Sequence, residues 1–111
     1  MITPTELCFQ GQCVATLSDS VIEWPRNDSI YKIADSISDR MAGYITMSIE
    51  YGKLVMGNDQ TALKAHVEQE ESQYLDMINS EEWTVIDSDG SIHHILAPIF
   101  HPENYLVWMF R

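Results

Sequence analysis

The segment Tyr105-Leu106-Val107-Trp108-Met109-Phe110 is nearly unbroken in apolar residues. An extended run of this kind presents apolar side chains to both faces of a sheet. It is satisfied only as a central strand, with neighbours on either side and cover above and below. Everything upstream has to supply that sheet and its cover.

Strand and turn signals recur along the chain. Leu7-Cys8-Phe9 and Cys13-Val14-Ala15-Thr16-Leu17 flank Gln10-Gly11, the pattern of a hairpin in which Cys8 and Cys13 face each other. Two cysteines do not make a secreted disulfide framework, so two reduced, partly buried thiols are expected. Val21-Ile22-Glu23-Trp24 reads as a further short strand stopped by Pro25. Tyr44 to Glu50 alternates with period two, placing Ile45, Met47 and Ile49 on one face. With Leu54-Val55-Met56 beyond a turn near Tyr51-Gly52, it predicts a second hairpin. Trp83 to Ile86, a turn at Asp87-Ser88-Asp89-Gly90, residues Ser91 to Phe100 and a turn at His101 to Asn104 lead into the C-terminal strand.

Two segments carry helical spacing. Behind a cap at Asn27 or Asp28, Ile30, Ile33, Ala34, Ile37 and Met41 form one apolar stripe, which predicts a helix over 28–42 closed by Gly43. A second helix is predicted over 59–78, with Leu63, Val67, Tyr74, Met77 and Ile78 on its apolar side. Glu70 falls inside that stripe. Burying an unpaired carboxylate costs several kcal/mol, so either the helix overhangs the sheet and Glu70 reaches water, or its turn belongs to a contact surface. The fold class that follows is α+β: an antiparallel β-sheet built from hairpins with two α-helices packed on it, as a single domain over 1–111. No regular β–α alternation supports a Rossmann-type fold.

Charge narrows the function. The chain has 17 acids against 6 bases, a formal net charge of -11. The stretch from residue 65 to the end holds nine acids and one base, and that base is the terminal Arg111. Such a surface repels nucleic acid and anionic lipid and attracts basic proteins. No basic residue precedes Arg26, and no apolar run approaches the ~20 residues of a membrane span. A cytoplasmic protein without direct nucleic-acid or membrane binding is expected.

Catalytic and metal motifs are weak. His93 and His94 are adjacent on a predicted strand and point to opposite faces. A set drawn from one of them, His101 and Asp89 lacks the spacing of a known zinc motif, and His66 faces sideways on its helix. Asp87-Ser88-Asp89-Gly90 lacks the later ligands of a calcium loop and reads as a hairpin turn. The chain has no nucleophile elbow and no glycine-rich phosphate loop. No catalytic residue, metal site or cofactor is assigned, and the chain reads as a non-enzyme. Trp83 and Trp108 are expected in the core, with Trp24 and Tyr31 as exposed anchors.

The expected function is that of a small acidic inhibitor that blocks a basic, nucleic-acid-binding surface of a partner protein. Phage anti-restriction and anti-CRISPR proteins and nuclease-immunity proteins work in this physical manner as nucleic-acid mimics. The expected contacts are Glu68, Glu70, Glu71, Asp76, Glu81 and Glu82. One alternative is a non-catalytic assembly or adaptor subunit, homodimeric through an edge strand. Another is a small metal-binding or hydrolytic domain using the histidines.

Overall fold

In a computed structural model, which describes residues 2–23 and 25–111, the chain is an antiparallel seven-stranded sheet curled into a half-barrel with helices packed against it. The strands are β1 (Pro4–Phe9), β2 (Gln12–Glu23), β3 (Arg26–Ile33), β4 (Trp83–Asp87), β5 (Ile92–His94), β6 (Ile99–His101) and β7 (Tyr105–Met109). Between β3 and β4 run α1 (Asp39–Gly57), α2 (Gln60–Gln69), a 3-10 turn (Glu71–Tyr74) and the one-turn α3 (Leu75–Ile78). The order across the sheet is β5-β4-β1-β2-β3-β7-β6. The α+β class is as expected, and so are the hairpin at Gln10-Gly11, the turn at Asp87 to Gly90 and the burial of Trp83 and Trp108. β7 has neighbours on both sides, one strand in from the β6 edge.

The segment 92–101 ties the two ends of the curled sheet together. Its first part, β5, pairs with β4, and its last part, β6, pairs with β7. Between them Ile95 bridges to Phe110, Leu96 N–H donates to Met109 C=O, and Arg111 N–H donates to His94 C=O. The single strand expected over 91–100 is therefore broken at Leu96–Pro98, where it changes partners.

Three expectations are corrected. The first helix does not occupy 28–42. Residues 26–33 are strand β3, whose buried positions are Asn27, Ser29 and Tyr31. Because two of those three are polar, the period-two signal was hidden, while the outward-facing Ile30, 40% exposed, supplied a false helical stripe. Tyr31 is consequently a core residue rather than an exposed anchor. Its hydroxyl donates to the His101 carbonyl at 3.1 Å. Trp24 lies outside the described residues. The helix instead begins at Ser38, whose side chain accepts a hydrogen bond from Met41 N–H at 3.1 Å.

The hairpin expected over 44–56 is likewise part of α1. The alternation of Ile45, Met47 and Ile49 is real, but the buried face has helical spacing and comprises Met41, Tyr44, Ile45, Met47, Ser48 and Gly52. Gly43 and Gly52 are not turns. A Cβ at Gly52 would come within 2.8 Å of His101 Nδ1, so glycine lets the helix close on β6. The third correction concerns 59–78, which is interrupted after Gln69 and continues as the 3-10 turn and α3. Val21 to Glu23 is the end of a long β2 that bulges at Asp19-Ser20, where Asp19 has φ 47°.

The core lies between α1 and the concave sheet, around Leu7, Tyr44, Trp83, Val85, Phe100 and Trp108. Tyr44 donates its hydroxyl to Pro98 C=O at 2.9 Å. His101, between Gly52 and the Tyr105 ring, is pushed below its ordinary imidazole pKa, chiefly by burial and then by the Arg26 charge, with Asp28 opposing. Protonation therefore favours the unfolded chain. This contribution is complete above about pH 6.5 and is lost as pH falls toward the lower folded value. His101→Gln is expected to flatten the fall in stability between about pH 7 and pH 5, as read by chemical unfolding at each pH. An unchanged slope would remove His101 as its source.

Candidate partner-binding surface

The acids that the charge pattern singles out come from one stretch of chain, but they reach different faces. Glu70 sits at the break between α2 and the 3-10 turn, where its backbone N–H donates to His66 C=O at 2.8 Å. Its side chain is exposed, which resolves the anomaly of a carboxylate in an apolar stripe: the continuous stripe does not exist. Glu68, on the last turn of α2, and Glu81, in the loop before β4, are exposed as well.

Asp76 and Glu82 are brought together on a groove of about 360 Å³. One wall is the tip of the β1–β2 hairpin, with Phe9, Gln10 and Gln12; the other is the start of α1. Arg40, in the first turn of α1, donates to the Asp76 carboxylate and, at 3.1 Å, to Gln73 C=O. Its guanidinium also lies 5.1 Å from the centre of the Tyr74 ring. Gln10 Nε2 donates to Glu82 Oε2 at 2.7 Å, and Gln10 N–H donates to Glu82 C=O at 3.1 Å. Both acids are thus held in place, but Asp76 has its charge balanced locally by Arg40.

Glu71 lines a different groove, of about 320 Å³, with Tyr44, Ile78, Leu96, Pro98 and Met109. Its charge adds to the effect of burial in raising the Tyr44 phenol above the ordinary tyrosine pKa, burial being the larger cause. Glu68, Glu70 and Glu81 line neither groove.

The cations deepen this asymmetry. Arg26 pairs with Asp28 at 3.3 Å, Lys53 with Glu50 at 3.5 Å, and Arg40 with Asp76. Exposed pairs of this kind are worth at most about 1 kcal/mol each, but each cancels one positive charge at short range. Arg111 is occupied with Ser80 C=O at 2.9 Å. Among the described residues Glu68, Glu70, Glu71 and Glu81 have no ion-pair partner. Arg40 and Gln10 were not identified from sequence. The Ser38-Asp39 start of α1 was the available signal for Arg40, because Ser is a strong N-cap and Asp favours the first turn.

The histidines do not converge. His93 Nε2 lies 3.8 Å from Asp87 Oδ2, His66 packs against the Tyr51 ring, and His101 is under α1. Asp87 is buried and accepts from Thr3 N–H and Ser88 N–H at 2.9 and 2.6 Å. Among the described residues no three His, Cys, Asp or Glu side chains are grouped to hold a metal ion. Among them, too, no helix is long and apolar enough to cross a membrane. No protein-family model, no curated protein and no solved structure matches the chain.

Proposed function

We propose that the chain is a small protein-binding inhibitor that lays an acidic surface over a basic, nucleic-acid-binding surface of a partner. It would act within a cytoplasm, in the physical manner of anti-CRISPR, anti-restriction and nuclease-immunity proteins. What carries this reading is the excess of unpaired carboxylates on a stretch with no lysine or arginine between Lys64 and Arg111. Glu68, Glu70, Glu71 and Glu81, which have no ion-pair partner among the described residues, supply the long-range attraction. Asp76 and Glu82, held by Arg40 and Gln10, supply contacts of fixed geometry. Attraction of this kind acts mainly on the association rate and fades with salt.

The test begins with capture of partners from a nuclease-treated lysate, washed at low and high salt and challenged with DNA or RNA. Recovery of one nucleic-acid-binding protein that nucleic acid displaces supports the proposal. Against that partner, Glu68→Lys with Glu81→Lys is expected to slow association about tenfold or more at low salt, with the difference vanishing at high salt. An association rate indifferent to salt and to the reversal would exclude the electrostatic role.

A second reading, an assembly subunit that forms homodimers, is favoured by one specific observation. Val55, Met56, Val67 and Leu75 on α1, α2 and α3 are 41 to 77% exposed. A concentration-dependent mass in solution, insensitive to salt, would select it over the first.

A further inference from the structure

Cys8 and Cys13 form a nucleophile pair that the proposed function does not use. They are direct cross-strand partners on β1 and β2, on either side of the turn at Gln10 and Gly11, whose φ values are 52° and 77°. Leu7 belongs to the core, so Cys8, the next residue on the strand, faces the opposite side of the sheet. Both thiols are free, and Cys13 Sγ donates to Ala15 C=O at 3.6 Å. Cys8 is 3% exposed, whereas Cys13 is partly exposed and lies on the wall of the Arg40 groove. Opposed Cα atoms in an antiparallel pair are about 4.5–5.5 Å apart. That separation falls inside the span of about 4.4–6.8 Å that a disulfide bridges. The pairing, which lies just beyond a register shift between Leu7 and Cys8, is therefore compatible with such a bond.

We infer that Cys8 and Cys13 form a reversible cross-strand disulfide by exchange with a low-molecular-weight disulfide of the glutathione class. Cys13, the more accessible, attacks first as its thiolate. A bond forms between Cys13 Sγ and one glutathione sulfur, and the other sulfur leaves as a thiolate that takes up a proton. The Cys8 thiolate then attacks Cys13 Sγ and expels the second glutathione. Two protein thiols are oxidised to one disulfide and one glutathione disulfide is reduced to two thiols, so atoms and electrons balance. Burial, and then the negative charge of neighbouring groups including Glu6, raises both thiol pKa values, that of Cys8 to about 11. Both groups are accordingly protonated thiols at neutral pH, and exchange is slow. The new bond pins the hairpin tip that carries Phe9, Gln10 and Gln12, and with it one wall of the groove. This holds whether or not the acidic surface binds a basic partner.

The full chain is incubated with oxidised glutathione, quenched with N-ethylmaleimide and weighed intact, beside Cys8→Ser. The wild type is expected to lose the mass of two hydrogen atoms, accept no maleimide, remain a monomer and recover both thiols in dithiothreitol. Cys8→Ser is expected to keep one glutathione on Cys13. A lasting glutathione adduct on the wild type, two maleimides after incubation, or a disulfide-linked dimer would each overturn the inference. The wild-type result decides alone if the variant does not fold.

Discussion

Ser48→Ala is expected to lower the free energy of unfolding by about 2–6 kcal/mol, although it deletes a single oxygen. Ser48 is buried on the core face of α1, and its hydroxyl serves two backbone groups of β6 at once. Oγ accepts from Phe100 N–H at 2.7 Å and donates to Phe100 C=O at 3.2 Å. Phe100 is fully buried, so no solvent stands ready to replace either bond. Each orphaned group costs roughly 1–3 kcal/mol, and the cavity left by one oxygen is too small to change that sum much. Against a total stability of roughly 5–10 kcal/mol for a domain of this size, the loss is severe. Urea unfolding should show a large drop in midpoint with the slope preserved. A midpoint within error of the wild type would mean that the Phe100 groups find other partners.

Trp83→Ala is expected to cost about 3–5 kcal/mol and to leave the chain barely folded. Trp83 has no exposed surface, and its ring lies 4.5 Å from that of Phe9 and 5.3 Å from that of Tyr44, between centroids. Its indole Nε1 donates to Met77 C=O at 2.8 Å, fastening α3 to β4. Trp83→Phe keeps most of the ring contacts and gives up that bond, so it should fall well short of the alanine loss. Equal losses for the two variants would show that the hydrogen bond, and not the ring, dominates. Both are read by the same urea titration, followed by circular dichroism because the substitution removes one of the three fluorescent tryptophans.

How much of this was legible in the sequence depends on which residues carry each element. The Gln10-Gly11 and Asp87–Gly90 turns were legible because turn chemistry is local. Tyr105 to Phe110 was legible because its apolar run admits few environments. β3 was not, since it buries Asn27 and Ser29 while showing Ile30 to solvent. Ser29 Oγ accepts from Trp108 Nε1 at 3.0 Å, a partner far away in sequence, and bonds to Ser20 Oγ on the neighbouring strand at 2.7 Å. No local pattern announces a serine that is buried for the sake of a tryptophan 79 residues away. α1 failed for the converse reason: Gly43 and Gly52 look like stops, yet they are smooth patches where Tyr74 and His101 close on the helix. For the surface, charge counts named the acids. They could not separate Asp76, paired with Arg40, from Glu81, which makes no ion pair among the described residues, because that difference depends on chain segments meeting in space.

The tie made by segment 92–101 bears on how the molecule is assembled in time. β1 pairs with β4 through Leu7 and Val85, and β3 pairs with β7 through Asn27 and Trp108. Until those pairings form, the β1–β3 meander has both outer edges bare. Bare edges are templates for pairing with other chains, and contacts between such distant residues place folding toward the millisecond-to-second range. Each edge is covered by a strand distant in sequence, β4 on β1 and β7 on β3, so the meander is protected only once these long-range pairings have formed.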